Sequence, residues 1–113
     1  MLKSIRKRET IKKIFKNGKV FDTSLFKVNY ILSNGEAAGY ALSVSKKLGI
    51  AVKRNRAKRV LKNALFNNLK LPLLCVIRLK KIDFTYYEAA EQVNFFQHHL
   101  TGKEFIDLDN KVL

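Results

Sequence analysis

The stretch KKLGIAVKRNRAKRVLK, residues 46–62, holds eight Lys or Arg and no acid. Charges this dense need solvent or a polyanion around them. Ile50, Ala57, Val60, Leu61, Ala64 and Leu65 recur at the three- and four-residue steps of one apolar helix face, so a helix is expected over roughly 51–69. Asn67-Asn68 and Pro72 end it. Arg54, Lys58 and Lys62 fall at i, i+4 and i+8 and form one cationic ridge, with Arg56 and Arg59 beside it. A helix greased on one side and combed with cations on the other fits a phosphate backbone. Such faces also serve solubility alone, but solubility needs no asymmetry. Residues 1–62 carry seventeen basic and three acidic residues, while residues 82–113 carry two basic and six acidic. That clustering favours phosphate binding.

Downstream, LPLLCVIRLKK (71–81) follows a proline and is β-branched and short, which predicts a strand. Leu73, Cys75, Ile77 and Leu79 share one face; Leu74, Val76, Arg78 and Lys80 share the other. Cys75 then reads as a small core hydrophobe. Thr85 caps a last helix, with Glu88 completing a capping box. Its apolar stripe is Tyr86, Ala89, Ala90, Val93, Phe96 and Leu100, and Gly102 is its expected stop. The tail 103–113 mixes acids with Phe105, Ile106 and Leu108 and has no assigned place.

Upstream, Ala38 to Ser45 alternates Tyr40, Leu42 and Val44 with Gly39, Ala41, Ser43 and Ser45, and Leu25 to Ser33 alternates Phe26, Val28, Tyr30 and Leu32 with Lys27, Asn29, Ile31 and Ser33. Ser33-Asn34-Gly35 reads as the hairpin turn between them. Each strand has a greasy face and a small or polar face, and an antiparallel sheet can leave the second open. Residues 5–16 read as a first helix with Ile5, Ile11, Ile14 and Phe15 as its stripe and Asn17-Gly18 as its stop. Arg6, Lys7, Arg8, Lys12, Lys13 and Lys16 surround that stripe. Periodicity alone makes Phe15 a core anchor.

The 113 residues, 47% hydrophobic, suit one domain with its core over about 5–101 and a tail over 102–113. No apolar run is long enough to span a membrane. The basic N-terminus lacks the features of a secretory signal. A lone cysteine excludes an internal disulfide and fits a reducing cytoplasm. There is no phosphate-binding glycine loop, HExxH or zinc-ligand spacing. His98 and His99, adjacent on a helix, point about 100° apart and cannot share one ion. Carboxylates are too sparse for a two-metal nuclease site. The residues therefore describe a binder of structured nucleic acid with no catalytic or metal-ligating set of its own.

Residues 43–61, SVSKKLGIAVKRNRAKRVL, resemble the protein subunit of bacterial ribonuclease P. The likeness rests on the S-V-S-K-K strand end, Arg54-Asn55-Arg56 and Lys58-Arg59-Val60. It extends to the basic first helix ending Phe15-Lys16-Asn17-Gly18, to Phe26, and to the order of elements. The resemblance implies an α+β fold: a small four-stranded mixed sheet with three helices, order α-β-β-β-α-β-α, and a left-handed βαβ crossover resembling part of a ribosomal protein. It implies that a large RNA with bound magnesium is the catalyst. The protein would help that RNA and hold the 5′ leader of precursor tRNA during endonucleolytic maturation. Lys46, Lys47, Lys53, Arg54, Asn55, Arg56, Lys58, Arg59 and Lys62 would face the catalytic RNA. Ile11, Lys12, Phe15, Lys27, Asn29, Ser43 and Ser45 would line a leader cleft between the first helix and the open sheet face, with Phe15 as a stacking platform. The family often places aromatics where this chain has Ile11 and Asn29, so leader contact is expected to lean on charge. The resemblance implies no protein partner. A structural RNA-binding protein of the ribosome is the second reading, since it needs the same charge but no cleft.

Overall fold

The computed structural model describes residues 2–32 and 38–101. The expected turn at Ser33-Asn34-Gly35, the stop at Gly102 and the acidic tail lie outside them. The elements run β1 (Leu2–Ser4), α1 (Arg8–Asn17), β2 (Lys19–Asp22), β3 (Phe26–Leu32), β4 (Ala38–Val44), a short 3-10 turn (Lys46–Leu48), α2 (Ala51–Asn68), β5 (Leu73–Leu79) and α3 (Tyr86–Leu100). The sheet is mixed and has the order β1-β4-β5-β3-β2, so β5 lies between β3 and β4, which do not pair as the expected hairpin. It has five strands rather than the expected four, because β1 pairs parallel with β4 at one edge. From α1 onward the order of elements is the expected one.

α2 and α3 cover one face of the sheet. Ala57, Leu61, Ala64 and Leu65 of α2 and Ala89, Val93, Phe96 and Leu100 of α3 are buried with Val28, Tyr30, Cys75 and Ile77 of the strands. The α2 stripe is thus the expected one, except at its start. Ile50 is the N-cap residue, 65% exposed, so it lies outside the stripe. Fully burying a leucine such as Leu61 contributes about 1.5–3 kcal/mol. Cys75 is wholly buried, donates weakly to the Gly39 carbonyl at 3.7 Å, and its thiol is pushed up to about 12 by desolvation. The capping box forms as read: the Glu88 N–H donates to Thr85 Oγ1, and the Thr85 N–H donates to Glu88 Oε1.

α1 crosses the other face, against β3 and β5. It starts three residues later than expected. Ile5 instead prolongs the edge pairing, its N–H donating to the Tyr40 carbonyl at 2.8 Å. Glu9 in the first turn and Lys16 in the last complement the helix dipole. Ile14, not Phe15, is the residue α1 buries completely. The helix stops at Gly18, where a Cβ would sit 2.3 Å from the Ile14 carbonyl oxygen and 2.7 Å from that of Tyr30. Only glycine lets the chain turn so tightly into β2. Thr23 then closes the β2–β3 turn, its hydroxyl accepting from the N–H groups of Leu25 and Phe26 at 3.1 and 3.0 Å.

Candidate RNA interface

Two cationic surfaces result, one on each side of the sheet. Lys46 and Lys47 of the 3-10 turn and Lys53, Asn55, Arg56, Arg59 and Lys62 of α2 are exposed, while Arg54 and Lys58 are half-buried. Arg59 lies roughly opposite the Ala57–Leu61–Ala64 seam and points furthest from the core. The Arg54, Lys58, Lys62 ridge exists, and its two ends are fixed from within. Arg54 Nε donates to the Gly49 carbonyl at 3.0 Å, and Lys62 Nζ sits 5.6 Å from the Phe66 ring centre. Arg56 does not flank this ridge. It lies about 200° round the helix from Arg54, where it lines a hollow with Lys53, Ile82 and Asp83. Gly49, at φ 157°, supplies the extended-positive backbone that swings the chain from the 3-10 turn into α2.

On the opposite face, strand register sets the floor beside α1. Ser43 pairs with Arg78, Arg78 with Lys27, and Lys27 with Asp22, so these four form one row. Ala41, Val76, Asn29 and Val20 form the next. Phe15, 43% exposed, overhangs this floor from α1. The Arg78 guanidinium lies over its ring, 5.4 Å from the centre, and Arg78 Nη2 donates to Asn29 Oδ1 at 3.3 Å. Asn29 is 6% exposed, so its amide positions Arg78 rather than lying open. Asp22, the acid of the row, is ion-paired with Lys80, whose hydrogen bond holds that carboxyl below its usual value.

Of the expected cleft residues, Phe15, Lys27, Asn29 and Ser43 come together around Arg78. Ile11 is half-buried and Lys12 exposed on the same helix. Ser45 does not share the face, because β4 ends at Val44 and the Ser45 hydroxyl accepts from the Lys47 N–H at 3.2 Å. Arg78 is the residue sequence reasoning left out of the site. Its alternation with Ile77 and Leu79 was visible, but its place between Ser43 and Lys27 follows only from the register. Among the described residues no three His, Cys, Asp or Glu gather to hold a metal ion. His99 instead packs its ring 4.5 Å from that of Phe21.

The sequence profile described as Ribonuclease P matches residues 2–100. The chain belongs to the ribonuclease P protein family. It is 38% identical to the ribonuclease P protein component of Clostridioides difficile over 98 residues, covering 80% of this chain and 85% of that one. The Clostridium novyi component is 34% identical over 97 residues, covering 79% and 85%. Solved ribonuclease P proteins share the fold. The Thermotoga maritima structure superposes with a TM-score of 0.72 at 21% identity, covering 85% of this chain and 96% of that one. The Staphylococcus aureus structure gives 0.69 at 24%, covering 81% and 89%. Family membership gives the chain its role, as the protein subunit of a bacterial ribonucleoprotein endoribonuclease of tRNA processing, working with the ribonuclease P RNA. The ribosomal reading finds no support in these matches. No helix among the described residues is long and apolar enough to cross a membrane.

Proposed function

We propose that one domain presents two RNA surfaces: α2 meets the catalytic RNA, and the uncovered floor beside α1 holds the 5′ leader of precursor tRNA. The observation that carries the leader reading is Arg78 stacked over a half-exposed Phe15 on a sheet face that α1 covers only in part. Single strands are held by aromatic planes and cations together, and this pair supplies both. Lys27 and Ser43 extend the row for phosphates, and Lys12 borders it from the helix. Lys46 and Lys47 of the 3-10 turn and Lys53, Asn55, Arg56, Arg59 and Lys62 of α2 offer exposed cations or donors to a folded RNA, with the half-buried Arg54 and Lys58 beside them.

The protein would bind and position both RNAs and perform no bond-breaking step itself. Magnesium is assigned to the catalytic RNA, and the protein needs no cofactor, membrane or protein partner in this scheme. A cytoplasmic setting goes with it. The unit β4–α2–β5, two adjacent parallel strands joined by a helix, is the crossover we propose to be left-handed, as in part of a ribosomal protein.

The test is Phe15→Ala in a holoenzyme reconstituted at low magnesium. Affinity for leader-bearing precursor should fall by about 1–3 kcal/mol, one lost stack, with affinity for mature tRNA unchanged. Equal weakening for both RNAs removes Phe15 from the cleft.

A further inference from the structure

We propose that a crevice behind α1 takes one unpaired nucleotide of the catalytic RNA, making the N-terminal strand a second contact with that RNA. This deepens the reading of α2 as the RNA-facing helix and rests on it. The crevice, about 340 Å³, lies between β1, the linker to α1 and the start of β4. Its floor is Ile5, Gly39 and Leu74. Gly39 lets the N-terminal segment close over β4, since a Cβ there would meet Ile5 Cγ1 at 2.8 Å. Lys3, Arg6 and Lys7 stand at the rim, and no described lining residue is acidic. An apolar floor the size of a small-ligand site, with three cations and two hydroxyls among the described residues around it, suits a base with its phosphates. The same rim disfavours an apolar protein segment, which would leave three cations without partners.

The crevice sits on the same sheet face as the leader floor, at the next row Gly39–Leu74, but on the other flank of α1. Thr10, which lines it, lies about 140° round α1 from Phe15. It opens at the β1–β4 edge, and α2 runs beneath that same edge. The Phe66 ring packs edge-on to Tyr40 of β4 at 5.6 Å, and Leu2 of β1 lines a shared hollow with Phe66, Leu69 and Lys70. Lys62 caps Phe66 from outside. An RNA lying along α2 therefore reaches the crevice round the edge, without entering the cleft. This continuity selects the catalytic RNA rather than the leader as the occupant.

The buried Cys75 thiol makes the test clean, because a Thr10→Cys chain has one reactive cysteine. Labelled there with an azidophenyl photo-crosslinker and assembled with catalytic RNA and precursor tRNA, it should crosslink to one unpaired segment of the catalytic RNA. The yield should be the same with and without precursor. Crosslinks to the leader, scattered crosslinks or none overturn the proposal. In parallel, Thr10→Phe should plug the crevice and measurably weaken binding of catalytic RNA, with the salt dependence unchanged. Arg6→Ala should flatten that dependence by about 0.7 log units per log of salt. Wild-type affinity and slope in both variants overturn the crevice. If Arg59→Ala still weakens binding in that case, the α2 reading stands without it; if Arg59→Ala is also silent, the α2 reading has failed as well.

Discussion

The two faces of the sheet are built from the same strands by the same alternation, yet they behave as opposites. The face under α2 and α3 is closed: Val28, Tyr30, Cys75, Ile77, Leu61, Leu65, Val93 and Phe96 exclude water together. The face under α1 is closed around Ile14, Asn29 and Val76, and past them it opens at Ser43 and Arg78, with Lys27 half-buried beside them. The difference is one of helix number. Two helices of fifteen and eighteen residues bury one side, and one of ten crosses the other. A polar face left partly uncovered beside an exposed aromatic is a groove, and the cations around it determine what enters.

Substitutions on the two faces should therefore fail differently. The largest effect belongs to the closed face. Leu61→Ala, at a fully buried position, should cost about 2–5 kcal/mol of stability in thermal or denaturant melting, and all RNA binding should fall with the fold. Melting like that of the wild type would show the α2 phasing to be wrong. On the open face, Arg78→Ala should leave melting nearly unchanged and weaken leader-bearing precursor by about 0.5–2 kcal/mol, the range of a cation–ring contact. Arg78→Lys should restore only part of that, because a point charge does not stack as a guanidinium does. Full rescue by lysine would mean that charge alone matters there. The smallest effect is chemical. Because burial pushes its thiol up to about 12, Cys75 should resist alkylation at pH 8 in the folded chain and react only on unfolding. The sign follows from linkage: the unfolded thiol ionises from about 9 and the folded one only near 12, so its contribution to stability is lost as pH rises through that window.

The closed face was the legible one. Periods of 3.6 and 2 reveal a stripe wherever apolar residues are dense, so α2, α3, β3, β4 and β5 were readable to within a residue or two, as was the Thr85–Glu88 box. The edge strands were not. Leu2–Ser4 and Lys19–Asp22 are three and four residues long, and their pairing comes from neighbours rather than from pattern. α1 has so thin a stripe that periodicity could not separate Ile14 from Phe15, and one residue of phase decides which is core and which overhangs the groove. Arg56 was misplaced because a cluster of cations read as one surface, whereas helix rotation divides it between two flanks. Arg78 alternates as a polar-face residue of its strand, but register alone sets it between Ser43 and Lys27.

The separation of the two surfaces is tested most directly by a crossed measurement on two variants in the reconstituted holoenzyme. Arg59→Ala and Phe15→Ala are each assayed for affinity to catalytic RNA alone and for the ratio of affinities between precursor and mature tRNA. Arg59→Ala should weaken binding of catalytic RNA and flatten its salt dependence by about 0.7–0.9 log units per log of salt, with the precursor-to-mature ratio unchanged. Phe15→Ala should do the reverse, keeping wild-type affinity for catalytic RNA and losing most of that ratio. A variant that shifts both quantities together, or a crossed result in the opposite sense, would contradict two separate RNA surfaces on one sheet.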